Sequence, residues 1–175
     1  MEGPFLWLSQ DPPPSGFRRV PPGGLCLGAF VFLERGGKLL LVKYAEHERW
    51  PELAGLDPER QRVHGRGWTV PASHLKLGED PREAGRRVVE EILGLRGVAL
   101  SEPAVETEFA VAPRFPHRGL HMDVWFFLSG EAPAAWARPP WLREMALVDP
   151  GALSAADFGR SHEDVVARWL GRRGR

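Results

Sequence analysis

Apolar positions along the chain change spacing at defined points, and each change marks an element. Residues 25–33 are apolar, with the aromatic and β-branched side chains Phe30, Val31 and Phe32, and residues 38–44 form a second apolar run. Glu34-Arg35-Gly36-Gly37 between them is turn chemistry, so the pair predicts a β-hairpin. Residues 67–71 and 74–77 read as short strand pieces. Residues 104–111 and 120–128 predict two further strands joined by a turn over 113–119, and 145–148 predicts a short last one. Residues 45–66, with Pro51, Pro58 and many charges, read as a long loop, and 130–141 as a Pro-rich one. Residues 1–24 are a Pro- and Gly-rich lead-in that can add an edge strand, ahead of a single domain over 25–175.

The spacing switches to helical over 81–93. Asp80 suits the N-cap, Pro81 the first helical position, and Glu83 completes a capping box. Gly94 suits the stop. At about 100° per residue, Ala84, Gly85, Val88, Val89, Ile92 and Leu93 fall on one half of this helix. Glu83, Arg86, Arg87, Glu90 and Glu91 fall on the other, with Glu91 at the boundary. A final helix is predicted over 161–170, with Arg172 and Arg173 suited to a helix C-terminus. Strands on both sides of one central helix, with a helix at the end, predict an α+β fold in which a mixed sheet is sandwiched between helices.

Composition narrows the function classes. At 175 residues, 43% hydrophobic and 26% charged, the chain is of ordinary globular make-up and one-domain length. A formal net charge of +0 argues against a dedicated nucleic-acid binder. The single cysteine, Cys26, cannot form an internal disulfide, which suits a reducing compartment. Phe5-Leu6-Trp7-Leu8 is too short for a signal-peptide core, and no apolar run nears the roughly 18 residues of a membrane span. The expectation is a cytoplasmic protein with no membrane or nucleic-acid partner. Heavy use of Arg, Pro, Gly and Ala without any Asn points to a GC-rich bacterial genome.

The segment from Val70 through Gly94-Leu95 carries a resemblance. It is similar to the Nudix box of the MutT-like hydrolases, G-x5-E-x7-R-E-U-x-E-E-x-G-U, with U bulky and apolar. Ser73 takes the first Gly place, Glu79 the first Glu place and Arg87 the Arg place, and Gly94-Leu95 close the box. Trp68-x-Val70-Pro71 and the preceding hairpin match the usual run-up, so the likeness spans most of 25–172, its specific part being 68–95. It implies the Nudix fold and a nucleotide-like ligand, classically a nucleoside diphosphate linked to another group. It implies Mg²⁺ or Mn²⁺ for an active member, and homodimers are common in the family.

The departures bear on activity. The three glutamate places on the helix hold Val88, Glu91 and Ile92, so only the middle carboxylate is present. Hard divalent cations require clustered oxygen donors, and positions i, i+3 and i+4 would bring three carboxylates to one point on a helix. A one-residue shift of the frame, counted from Arg86, would place Glu90-Glu91 on the paired-Glu places but would put Arg87 on the remaining one.

These residues set the candidates. Glu79, Arg87 and Glu91 are the catalytic candidates, and Glu79, Glu90 and Glu91 the metal candidates, each also readable as a structural or surface charge. In the family the Arg usually orders the box loop by pairing with the Glu, which favours that role for Arg87 and Glu79. Trp68, His74 and Phe115 are the substrate-binding candidates, against core or edge-strand roles. His117, His121 and Asp123 lie close in sequence without an evident fourth ligand. The expectation is a Nudix-fold protein whose hydrolysis is weak or lost and whose nucleotide or small-molecule binding is retained, with or without a metal. The alternative is an active divergent Mg²⁺- or Mn²⁺-dependent pyrophosphohydrolase using Glu79, Glu90 and Glu91.

Overall fold

The computed structural model describes residues 7–8, 25–58, 61–62, 65–110, 121–159 and 162–173. Most of the lead-in and the turn over 113–119, with Phe115 and His117, lie outside them.

The strands are β1 (Trp7–Leu8), β2 (Leu25–Arg35), β3 (Lys38–Tyr44), β4 (Ala72–His74), β5 (Ala104–Ala110), β6 (His121–Glu131) and β7 (Leu142–Val148). The helices are α1 (Trp50–Ala54), α2 (Pro81–Arg87) and α3 (His162–Arg173), and α2 runs on into a π-helical turn over Val88–Ile92. One 7-stranded sheet has the order β5-β6-β2-β3-β7, with β1 and β4 also pairing β2. β2 and β6 are parallel, from Leu25↔Met122 to Glu34↔Glu131, and the other named pairings are antiparallel. The sheet is therefore mixed, as expected.

The hairpin forms where its two glycines allow it. Gly36 and Gly37 both have positive φ, 59° and 76°, the conformation a tight two-residue turn requires. Beyond the hairpin end β2 and β3 part, and the segment before the box fills the gap. Val31 donates to the Pro71 carbonyl at 2.9 Å, Thr69 exchanges backbone bonds with Val42, and β4 pairs β2 at Gly28, Ala29 and Phe30.

Alternation along β2 builds two cores, because successive side chains leave a strand on opposite faces. Val31 and Leu33 join Leu40, Val42, Trp50, Val88, Val89, Ile92 and Leu93 under α2. Phe30 and Phe32 join Leu39, Leu41, Val70, Phe127, Val165 and Val166 under α3. On that second face Phe32 stacks on Trp169 at 4.3 Å between ring centroids, and His162 Nδ1 accepts from the Val70 amide at 3.0 Å. Helices cover both faces, the expected sandwich.

Three elements differ from the sequence expectation. The stretch read as loop over 45–66 contains α1, anchored by fully buried Trp50. At 5 residues it is too short to display a helical period. The strand pieces around 67–77 reduce to β4 and to isolated bridges at Thr69 and Trp68. The helix predicted over 81–93 keeps its expected caps, Asp80 accepting from the amides of Arg82 and Glu83, but its last turn is π rather than α.

Candidate functional site

The box loop and α2 meet at one side chain. Arg87 sits on the half of α2 that the helical wheel assigns to solvent, yet it is buried, with 7% of its area exposed. Its long side chain runs under the box loop instead of outward. Nε donates to Glu79 Oε1 at 2.6 Å and one terminal nitrogen to Oε2 at 2.8 Å, a bidentate fork. The remaining donors reach the Leu53 carbonyl and Ser73 Oγ, each at 3.0 Å, and the His74 carbonyl at 2.8 Å. Arg87 thus ties α1, β4 and the loop to α2.

Glu79 is held from both sides. Its Oε2 also accepts from the Lys76 amide at 2.8 Å. Burial works to raise its carboxyl pKa, and hydrogen bonds from Arg87 and Lys76 together with the Arg87 charge outweigh it, leaving the pKa below the ordinary value. Ser73, in the first Gly place, adds a hydroxyl that a glycine would lack.

Glu79, Glu83, Arg86, Arg87, Glu90 and Glu91 line one shallow depression on the outer side of α2. The structure thus brings the expected carboxylates Glu79, Glu90 and Glu91 into one place. Glu90 and Glu91 are exposed, and Glu83 is engaged with the Asp80 amide at 3.1 Å in the capping box. Val88 and Ile92 are 0% exposed and lie in the core under α2.

Set against a hard divalent cation, the depression offers the exposed carboxylates Glu90 and Glu91 and a Glu79 already bound by donors. Glu79 Oε1 accepts from Arg87 and Oε2 from both Arg87 and the Lys76 amide, and the buried side chains at 88 and 92 are hydrocarbon. Among the described residues there is no group of three or more His, Cys, Asp or Glu arranged to hold a metal ion.

The substrate-binding candidates fall elsewhere. Trp68 packs with the cluster under α3, on the opposite face of the sheet from α2, with Lys43 Nζ 4.4 Å from its ring centroid. His74, half-buried at the end of β4, offers its backbone carbonyl to Arg87. Neither lines the depression. Asp123 is buried on β6. The wheel missed the buried role of Arg87, although the family frame, which pairs it with Glu79, carried the signal.

No family model matches the sequence, and no curated protein matches it. Solved structures do. The MutT protein from Methanosarcina mazei Go1 superposes with a TM-score of 0.59 at 13% identity, covering 86% of this chain and 96% of that one. The dihydroneopterin triphosphate pyrophosphohydrolase of E. coli gives 0.55 at 12%, covering 85% and 95%. The NUDIX domain of Shewanella oneidensis NrtR, complexed with ADP ribose, gives 0.54 at 14%, covering 91% and 92%. At these identities the likeness is one of fold: the chain has the Nudix (MutT-like) fold.

Proposed function

We propose that this Nudix-fold chain binds a nucleotide-like small molecule and that its capacity for hydrolysis is weak or lost. The observation that carries the second half is the complete burial of Val88 and Ile92, where the family resemblance calls for carboxylates. Water attack on a diphosphate develops negative charge that must be neutralised. The depression beside α2 carries more carboxylates than guanidiniums, and the Arg87 guanidinium is spent on Glu79. Binding rests on the fold, since structural neighbours include a domain complexed with ADP ribose and a pyrophosphohydrolase of a pterin triphosphate. Fold alone does not carry activity, because function resides in particular side chains.

Purified protein incubated with a panel of nucleoside diphosphate derivatives and Mg²⁺ or Mn²⁺ tests the loss of hydrolysis. The expected result is no turnover above a Glu91→Ala control. Thermal shift with the same panel, without metal, tests binding: at least one compound is expected to raise the melting temperature.

A second reading keeps an active enzyme that uses Glu79, Glu90 and Glu91 with Mg²⁺ or Mn²⁺. It is favoured by one observation, that these three line the same depression. Metal-dependent turnover abolished by Glu91→Ala would establish it in place of the first.

A further inference from the structure

The direction in which positions 88 and 92 point has a consequence for metal binding. Both side chains pack toward the sheet with Val31, Leu33, Leu40 and Trp50, while the depression lies on the other side of the helix, at Glu90 and Glu91. Along 88–93 the order is two buried residues, two exposed, two buried. The face that would present ligands is therefore also the face that holds the helix to the sheet.

Three contacts keep α2 in that orientation. Gly85 lies so close to β6 that a Cβ there would come within 2.7 Å of Leu128 Cδ2. Trp141 Nε1 donates to the Ile92 carbonyl at 2.8 Å, fixing the far end. Arg87 anchors the middle through Glu79, Leu53, Ser73 and His74. Turning the helix far enough to bring 88 and 92 to the depression would break all three.

We infer that α2 is a core brace in this chain, so that glutamates returned to positions 88 and 92 would enter hydrocarbon instead of completing a cation site. This rests on the reading above, that hydrolysis at this site is weak or lost for want of carboxylates at 88 and 92. An ionised carboxylate without a partner in such surroundings is costly, and it takes up a proton instead of remaining charged. The site is thus not two substitutions away from its family's ligand set.

The test uses V88E, I92E and the double variant, with V88A and I92A beside them, read by thermal melting and by Mn²⁺ binding from its electron paramagnetic resonance signal. Each glutamate variant is expected to melt below wild type at pH 7, to recover part of the loss at pH 5, and to bind no more Mn²⁺ than wild type. I92A should melt roughly 5–15 °C low, from the usual cost of truncating a buried Ile in a chain of this length, and V88A by a smaller step. A double glutamate variant that melts near wild type and binds Mn²⁺ stoichiometrically would overturn the inference. Should it fail to fold, the alanine variants decide, because wild-type melting temperatures for both would place those side chains outside the core. Metal-dependent turnover by the wild-type chain, abolished by Glu91→Ala, would instead overturn the proposed function, whatever the variants do.

Discussion

Arg87 and Glu79 form a two-point fork, Nε to Oε1 at 2.6 Å and a terminal nitrogen to Oε2 at 2.8 Å, and both side chains are largely shielded from water. The pair joins the end of the box loop to the last residue of α2, where the π turn begins. Whatever the depression beside it binds, this fork holds the loop against the helix.

Removing the guanidinium leaves more than a lost ion pair. Arg87→Met takes the charge partner from the shielded Glu79 carboxylate and one donor each from the Leu53 and His74 carbonyls. Breaking a buried pair from one side costs about 3–5 kcal/mol, so the urea midpoint should fall substantially at unchanged slope. Arg87→Lys should recover little, because a point charge cannot reproduce a planar fork. A midpoint for Arg87→Met within error of wild type would refute this role.

Acid should act through the same pair. The folded-state pKa of Glu79 lies below its ordinary value, with the Arg87 and Lys76 hydrogen bonds outweighing the effect of burial. Its contribution is therefore fully present above the ordinary carboxylate pKa of about 4.3 and is lost as pH falls through the lowered folded value. Melting curves from pH 7 to pH 2.5 should show Glu79→Gln less stable at neutral pH and converging on wild type in acid. Parallel profiles would contradict it.

The second face of the sheet depends on His162. Its Nδ1 accepts from the buried Val70 amide at 3.0 Å, and its ring meets Phe30 edge-on at 5.4 Å. His162→Ala removes the acceptor and opens a void, and leaving a buried amide unpaired costs about 1–3 kcal/mol. Near-ultraviolet circular dichroism of the aromatic cluster around Trp169, followed through urea unfolding, should report an earlier transition. Wild-type unfolding of this variant would mean α3 docks without the contact.

Gly67 is required by close approach. A Cβ there would meet the Phe158 carbonyl carbon at 2.5 Å and the Asp157 carbonyl oxygen at 2.6 Å, both backbone atoms. Gly67→Ala must push apart the loop that also receives the Trp68 amide at the Asp157 carbonyl. Strain of this kind costs about 1–3 kcal/mol, to be read as a lowered melting temperature. An unchanged value would show that the loop yields freely.

Much of this was legible in the sequence because local chemistry and tertiary demand agree. Asp80, Pro81 and Glu83 fix the start of α2, Gly94 with φ 67° fixes its end, and the apolar half of its wheel is the buried half. The hairpin and the outer strands follow from period and turn residues in the same way. Where one residue serves two masters the reading slipped. Arg87 has a polar head on a long stem, so its position on the wheel gives no warning that the stem passes inward beneath the loop. Trp68 is near the box in sequence yet on the opposite face of the sheet from α2, and no period assigns a lone aromatic to a face. The π turn keeps the residue order of an α-helix and changes only which carbonyl each amide meets, as with Leu93 bonding Val88.

The most direct measurement is a titration of the wild-type protein with Mn²⁺ followed by electron paramagnetic resonance, in which bound ion loses the sharp signal of free ion. The free-ion signal should grow in proportion to added Mn²⁺ from the first addition, identically in wild type and in a Glu79→Gln/Glu91→Gln variant. A one-to-one loss of signal in wild type, abolished in that variant, would contradict the claim that α2 has no working cation site.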